Sequence, residues 1–310
     1  MRIFLFFLPL LFLSFVSNAQ RDTSYVGRFD RKMAISTYIV KDFAFLVQEF
    51  EPDRDIAYIP NTPASIGLGF SWKNAAFSLS YGYGFDFLRD KKLGRTKSVD
   101  FQFHNYGRMF AFDIFIQNYK GFYVEEDDKT IRVCPDVKMY NYGLFSQYVF
   151  NHKKFSYKAA FDRSEKQLRS AGSLLVGAGI YFTSIESDSS FIVQEKNFVR
   201  SFQFGVSAGY AYTWVIRTNW FINLSTTVGI HFGSEKLNRF GKQKPEISPT
   251  VFPRISTGYA KHSWSLDLSY LANILFPSFS ENKAIGILSG SGRITFTKRF
   301  NSIFQRDKRR

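Results

Sequence analysis

The sequence predicts an all-β, transmembrane, antiparallel up-and-down β-barrel of about 12 strands, with 10 or 14 as the alternatives. Three observations predict it. Residues 3–16 are almost wholly apolar after the basic start Met1-Arg2, and Ser17-Asn18-Ala19 supplies a small-x-small cleavage pattern, so residues 1–19 read as a Sec signal peptide. No later apolar run reaches the ~20 residues that a membrane helix needs. The rest of the chain is a series of strand-length segments in which aromatic or aliphatic residues alternate with Ser, Gly or charge. An exported chain of this kind spans a membrane with strands, because a closed sheet is the other way to satisfy every backbone group in lipid.

Taken in order, residues 20–33 are polar and read as a periplasmic lead-in, residues 34–300 as the barrel, and residues 301–310 as a basic tail ending Arg306-Asp307-Lys308-Arg309-Arg310. The alternation is cleanest in Phe77, Leu79, Tyr81, Tyr83 and Phe85 against Ser78, Ser80, Gly82, Gly84 and Asp86. A strand separates those two sets completely, whereas a helix mixes them. The split recurs from Ser65 to Trp72, from Val99 to His104 and from Phe110 to Gln117. It recurs again from Ser201 to Trp214, from Trp220 to Ile230 and from Trp264 to Tyr270. In a barrel the apolar set faces lipid and the small polar set faces the lumen. The last strand runs roughly from Ile285 to Phe300, with Ile294, Phe296, Lys298 and Phe300 on one face.

Facing aromatics suggest the hairpins. Pairing Trp72 with Phe77 gives an Asn74-Ala75 loop, and pairing Tyr259 with Trp264 gives Lys261-His262. Pairing Phe103 with Phe110 gives Tyr106-Gly107, with Gly where φ is positive. These short loops are expected to be periplasmic. The long ones, 49–62, 88–97, 121–137, 186–197 and 234–248, are expected to be extracellular, with Asp162 to Ser170 as a periplasmic exception.

Composition agrees. Phe 37, Tyr 17 and Trp 4 among 310 residues exceed what a soluble core needs and suit membrane-interface girdles. The mean hydropathy of −0.17 is too low for a helical membrane protein. A net charge of +15 suggests anionic surroundings, with outer-membrane lipids and lipopolysaccharide as expected partners, and the last strand closing on Phe300 resembles the signal read by barrel-assembly machinery, an expected partner during biogenesis. Nucleic acid is disfavoured by export and by the lack of a basic helix or zinc spacing. Cys134 stands alone, so there is no intrachain disulfide and no cysteine metal cluster.

Several stretches resemble a Bacteroidota outer-membrane family known only as a domain of unknown function. They include Tyr58-Ile59-Pro60-Asn61, Gly67-Leu68-Gly69-Phe70, His104-Asn105-Tyr106-Gly107-Arg108, Tyr119-Lys120-Gly121-Phe122-Tyr123, Phe155-Ser156-Tyr157-Lys158-Ala159-Ala160-Phe161 and Ser170-Ala171-Gly172-Ser173. The resemblance implies an exported barrel and brings no catalytic residues.

Candidate chemistry is sparse, and no catalytic, cofactor-binding or metal residue is assigned. Gly205-Val206-Ser207-Ala208-Gly209 fits G-x-S-x-G but lies mid-strand, where the strained strand-to-helix turn of a hydrolase elbow has no place. His104, His152, His231 and His262 lack the spacing of a metal helix. Glu125-Glu126-Asp127-Asp128 is an acidic run without the spaced oxygens of a calcium loop, and reads as solvated charge. The sharper constellation is in the lumen. The hairpin register above sets Asp100 directly opposite Asp113, a repulsive pair that calls for a cation, a shared proton or room for water. Lumen-facing candidates are therefore Asp100, His104, Asp113, Lys158 and Arg293, the last two as cations on other strands. The expected function is non-catalytic: a pore, a transport component or a structural barrel. The alternatives are an outer-membrane lipid-modifying enzyme and an adhesion or assembly protein working through its loops.

Overall fold

A computed structural model describes residues 21–301 apart from 30, 32, 51–53, 73–74, 82–84, 86, 88, 128–129, 192–196, 235–245 and 279–283. The strands are β1 Val26–Arg28, β2 Met33–Phe50, β3 Arg54–Tyr58, β4 Ser65–Trp72, β5 Ala75–Tyr81, β6 Lys97–Tyr106, β7 Phe110–Asp127 and β8 Thr130–Val149. They continue as β9 Glu165–Gln167, β10 Ala171–Glu186, β11 Phe198–Ile216, β12 Trp220–Ser234, β13 Glu246–Ala260, β14 Trp264–Ser278 and β15 Ile285–Phe300. Twelve of them follow one another round an antiparallel sheet in the order β5-β4-β2-β15-β14-β13-β12-β11-β10-β8-β7-β6. The first and last long strands pair along their length, from Met33 opposite Phe300 to Gln48 opposite Ile285. This is the up-and-down barrel that the alternation predicts.

At one end β3 completes the ring. It pairs with β2 from Leu46–Tyr58 to Phe50–Arg54, and the next residue, Ile59, exchanges both backbone hydrogen bonds with Tyr123 of β7 at 2.8 and 2.9 Å. Both ends of the barrel chain lie at the opposite end, beside the tight turns. That end is called the inner one and the β3 end the outer, after the usual disposition of termini and short turns in outer-membrane barrels.

The wall sorts its residues as the period-2 pattern requires. Along β11, Val206 is 64% exposed and its neighbour Ser207 4%. On β12, Trp220, Ile222, Leu224, Val228 and Ile230 face out, while Asn223, Ser225, Thr227 and His231 are buried inside. An apolar exterior around a polar interior inverts the arrangement of a soluble protein and is that of a β-barrel in lipid. Among the described residues no helix is long and apolar enough to cross a membrane. At the inner end the exposed rings of Trp214 and Trp220 and the half-buried rings of Tyr259 and Trp264 form part of a girdle. Tyr212–Trp214, Trp220–Tyr259 and Tyr259–Trp264 centroids are 4.7, 5.0 and 5.4 Å apart.

The faces hold, but the three hairpin registers need correction. Trp72 pairs with Ala75, and Phe77 with Phe70, so the first turn moves by one residue to 73–74, which lie outside the described residues. Tyr259 pairs with Leu266, and Lys261 N donates to Trp264 O at 2.8 Å, which puts His262-Ser263 in the turn. Tyr106 pairs with Ala111, and Gly107 N donates to Phe110 O at 2.8 Å, so Arg108-Met109 is the turn. Gly107 serves close approach rather than positive φ, because a Cβ there would sit 2.7 Å from Phe110 O. Matching aromatics misjudges register because rings on the lipid face also meet diagonally, as Tyr259 and Trp264 do.

Residues 121–137 are not a loop either. They include the paired outer halves of β7 and β8, from Phe122 opposite Cys134 to Asp127 opposite Thr130, so Glu125 to Asp127 of the acidic run are on the strand, and Asp128 lies outside the described residues. Gly121 makes the entry possible: it takes φ +88 at a register shift, where a Cβ would meet Arg95 O at 2.6 Å. A long connection at the inner end lies between β8 and β10 and contains Asp162 to Ser170, the segment expected to break the alternation of long and short loops. The connection includes a π turn, Lys158–Asp162, and β9, which pairs with β1 of the N-terminal segment. The faces of Leu79 and Ser80, residues 1–20 and the tail 302–310 lie outside the described residues.

Candidate functional site

The lumen is a packed interior. Some of the glycines on its wall do not leave space, because they seat a ring from a neighbouring strand. The Tyr38 ring lies over Gly67 and the Phe115 ring over Gly143, where a Cβ would come within 2.1 Å of either ring. Phe115, Phe145, Tyr181, Phe252 and Leu275 form a buried cluster at mid-height, with Phe145 and Phe252 stacked at 4.6 Å.

Below that cluster lies the central ion pair. Arg254 of β13 and Asp113 of β7 stand five places apart in the strand order, so their contact crosses the lumen. Arg254 Nη2 donates to Asp113 Oδ2 at 2.5 Å and Nη1 to Oδ1 at 3.3 Å, a two-pronged bond between groups that are 2% and 3% exposed. His104 Nδ1 is 2.6 Å from Asp113 Oδ1. Arg254 Nη1 also donates to the Tyr106 hydroxyl at 3.3 Å, and the Tyr106 ring stacks on Tyr157 of the inserted segment at 5.6 Å.

The sequence-predicted residues are placed as follows. Asp100 and Asp113 both point inward, as the alternation requires. They are not opposite: Asp100 pairs with Gln117, and Asp113 with His104. The corrected turn shifts the hairpin and removes the carboxylate confrontation. Asp100 is satisfied by neutral donors, Tyr119 Oη at 2.6 Å, Gln117 Nε2 at 2.9 Å and Gln102 Nε2 at 3.1 Å. Gln117 in turn accepts from Asn141 Nδ2 at 3.0 Å. Arg293 lies on the inward set of β15, but its guanidinium covers the Tyr38 ring at 4.5 Å and does not reach Asp113. Lys158 is not on a strand; it opens the π turn.

Sequence reasoning missed Arg254, the cation that Asp113 called for. The inward set Thr250, Phe252, Arg254 and Ser256 carries a signal, since one charge in an otherwise uncharged inward set stands out. Pro249 and Pro253 concealed it, because proline argues against a central strand.

The inner end is closed by residues 150–170 and 21–29. Tyr157 Oη and Ser225 Oγ are 2.6 Å apart, and Ser256 Oγ donates to Ala160 O at 2.6 Å. Arg163, in left-handed backbone at φ 59, stands with Nε 2.8 Å from Asp267 Oδ1 and its guanidinium 3.5 Å from the Phe221 ring centroid. Glu165 accepts from Ser156 Oγ at 2.7 Å and forms an ion pair with Arg21. Burial, with Arg108 and Arg28 nearby, pushes Arg21 down to about 10. Arg299 donates to Arg163 O at 3.3 Å.

The outer end is closed differently. Leu46, Tyr58, Phe122, Met139, Ile185, Phe191 and Ile287 belong to one apolar cluster inside the rim. The loop after β10 is tied down by Asp136, whose Oδ2 accepts from the backbone N–H groups of Asp188, Ser189 and Ser190, each at 3.0 Å, and from Ser187 Oγ at 2.8 Å. Burial works against the charged form, but those bonds, with one from the Ser190 hydroxyl, hold the Asp136 carboxyl well below the usual range.

The G-x-S-x-G serine does not stand on a strand-to-helix elbow. Ser207 is mid-strand and buried, and His231 Nδ1 faces Thr250 Oγ1 at 3.0 Å. No group of three or more His, Cys, Asp or Glu is placed to hold a metal among the described residues.

A family model described as a domain of unknown function, DUF4421, matches residues 20–296. The chain belongs to this family. No protein of curated function matches it in sequence at a significant level. Similar solved structures include OmpT of Vibrio cholerae lacking loop L8, at 9% identity over 85% of this chain and 99% of that one, with a TM-score of 0.28. The β domain of the Bordetella autotransporter BrkA gives 9% identity over 87% and 100%, with a TM-score of 0.36. The P. putida toluene transporter TodX gives 7% over 87% and 91%, with a TM-score of 0.28. Scores this low say nothing about what this chain does; its barrel rests on its own strand order and faces.

Proposed function

We propose that this DUF4421 protein is a sealed outer-membrane barrel with a non-catalytic, structural or docking role, and that it is not an open pore. The carrying observation is the Arg254–Asp113 pair, which crosses a lumen closed by packed side chains at both ends. An open channel needs a continuous polar path, and here lumen residues such as Gln117, Asn141 and Thr250 are wholly buried. The export pattern of residues 1–19 supports delivery to the outer membrane, with a mature chain beginning at Gln20, and the family resemblance supports a source among the Bacteroidota. In planar bilayers the purified protein is expected to show no stable conductance. A persistent open level from the wild type would overturn the proposal.

A transport role has one observation in its favour. The inner closure is an inserted segment held by side-chain bonds rather than by the wall ladder, so it can leave without unfolding the barrel. Cross-linking that segment to β12 through cysteines at positions 157 and 225 separates the readings. Activity that is lost on cross-linking and regained on reduction would favour transport.

A further inference from the structure

We propose that the outer rim of the wall, at β6, β7 and β8, is a binding site for a phosphorylated glycolipid of the lipid A type in the outer leaflet. The proposal rests on the outer-membrane reading above and names a site within it. Lys97 is directly opposite Lys120, and Lys120 is directly opposite Lys138, so three lysines form one row across three strands. All three belong to the outward set: Lys97 and Lys120 are exposed and Lys138 partly so. Directly opposed side chains have Cβ atoms about 5 Å apart, and like charges there are destabilising. Among the described residues neither Lys97 nor Lys120 forms an ion pair. At the end of the row Lys138 is opposite Glu186, but that carboxylate is engaged by Arg200 at 3.0 Å. Glu186 thus stands between two cations, Lys138 and Arg200, and the row keeps more positive charge than this carboxylate offsets.

Position points to the neutralising partner. One row inward stand Val99, Asn118 and Tyr140, and next come Phe101, Ile116 and Tyr142. Val99 and Phe101 are 63% and 53% exposed, and Tyr142 Oη donates to Asn118 Oδ1 at 2.8 Å, an arrangement suited to an interface. The lysine row borders the apolar band at its outer edge, facing sideways into the membrane, where a lipid head group meets it and a soluble protein does not. The inner end offers a contrast. There Lys261 and Lys298 also share a row, but Trp264 stands between them. The outer row spans two strand spacings, about 10 Å, so its end lysines can meet phosphates at the two ends of a disaccharide with a third ammonium between them, whereas at the inner end an indole takes that middle place.

The test uses the full mature protein in nanodiscs of phosphatidylcholine alone, or with bis-phosphorylated lipid A, dephosphorylated lipid A or phosphatidylglycerol. Bis-phosphorylated lipid A is expected to raise the wild-type unfolding midpoint by on the order of 5 °C, as a ligand of the native state does. Lys120→Gln should lose most of that shift, while in phosphatidylcholine alone it is as stable as wild type or more so, because a like-charge contact is gone. Lys97→Gln serves as the second variant, and Lys298→Gln should keep the full shift. The site is refuted if Lys120→Gln and Lys97→Gln keep the shift, or if phosphatidylglycerol or dephosphorylated lipid A matches the bis-phosphorylated form. A wild type that inserts and stays electrically silent, yet gains nothing from lipid A, sinks the site and leaves the sealed-barrel reading standing.

Discussion

At the outer end the lumen is closed by apolar side chains such as Phe122, Met139, Ile185 and Ile287, carried on the wall strands themselves. At the inner end it is closed by residues 150–170, inserted between two strands and held by Arg163, Glu165, Asp267 and Arg299. The outer closure forms by lengthening the strands, so it forms with the barrel. The inner one needs partners far apart in sequence, Arg21 with Glu165 and Arg163 with Asp267, so it can only be completed once the wall exists. Burying ion pairs adds little net stability, but breaking one leaves an uncompensated charge. The inner closure should therefore be the more sensitive to single charge changes and the outer to lost volume.

The largest expected effect tests the pair that lies between them. Arg254→Met should cost about 3–5 kcal/mol in urea unfolding from detergent, because Asp113 stays buried without its cation. Asp113→Leu combined with Arg254→Met should recover most of that loss. A single variant as stable as wild type would mean that the pair does not bridge the lumen.

In the outer closure, Phe191→Ala should cost about 3–4 kcal/mol, the usual range for emptying a buried aromatic site. Its effect should be indifferent to salt. A loss that salt abolishes would break the contrast between the two ends.

The wall itself separates face from lumen. Leu224→Arg puts a cation against lipid and should cost roughly 2–4 kcal/mol, read as failure to reach the heat-modifiable folded form. Ser225→Arg should still insert. It would displace Tyr157, its hydroxyl partner, and expose residues 150–170 to protease. Equal failure to insert would mean that the two faces are misassigned.

The smallest effect belongs to the loop clasp at Asp136. Because its folded pKa is depressed, the clasp stabilises above the ordinary carboxylate range and weakens as pH falls through the folded value. Asp136→Asn should cost on the order of 1 kcal/mol, since the site is part-exposed and screened. Hydrogen exchange at residues 187–191 should rise with little change elsewhere, and the wild type in acid should come to match the variant. Unchanged exchange would remove Asp136 from the closure.

Much of this was legible in residue order. The alternation Phe204, Val206, Ala208 against Gln203, Gly205, Ser207 assigns both faces of β11, because side chains alternate strictly along a strand. It also places Asp100, His104 and Asp113 inside. The partner of Asp113 was not legible. Arg254 is 141 residues away, on a strand whose two prolines obscure it.

By itself the sequence determined that this is a barrel, which residues meet lipid and where charge must be buried, since those properties follow from a period of two and the cost of burying polar groups. Only the tertiary structure decided the registers of the hairpins, the filling of the lumen and the identity of the buried pairs. A shift of two or four residues leaves every side chain on its own face, so the hydrophobic pattern cannot distinguish such registers. Turn hydrogen bonds such as Gly107 to Phe110 and contacts across the lumen do.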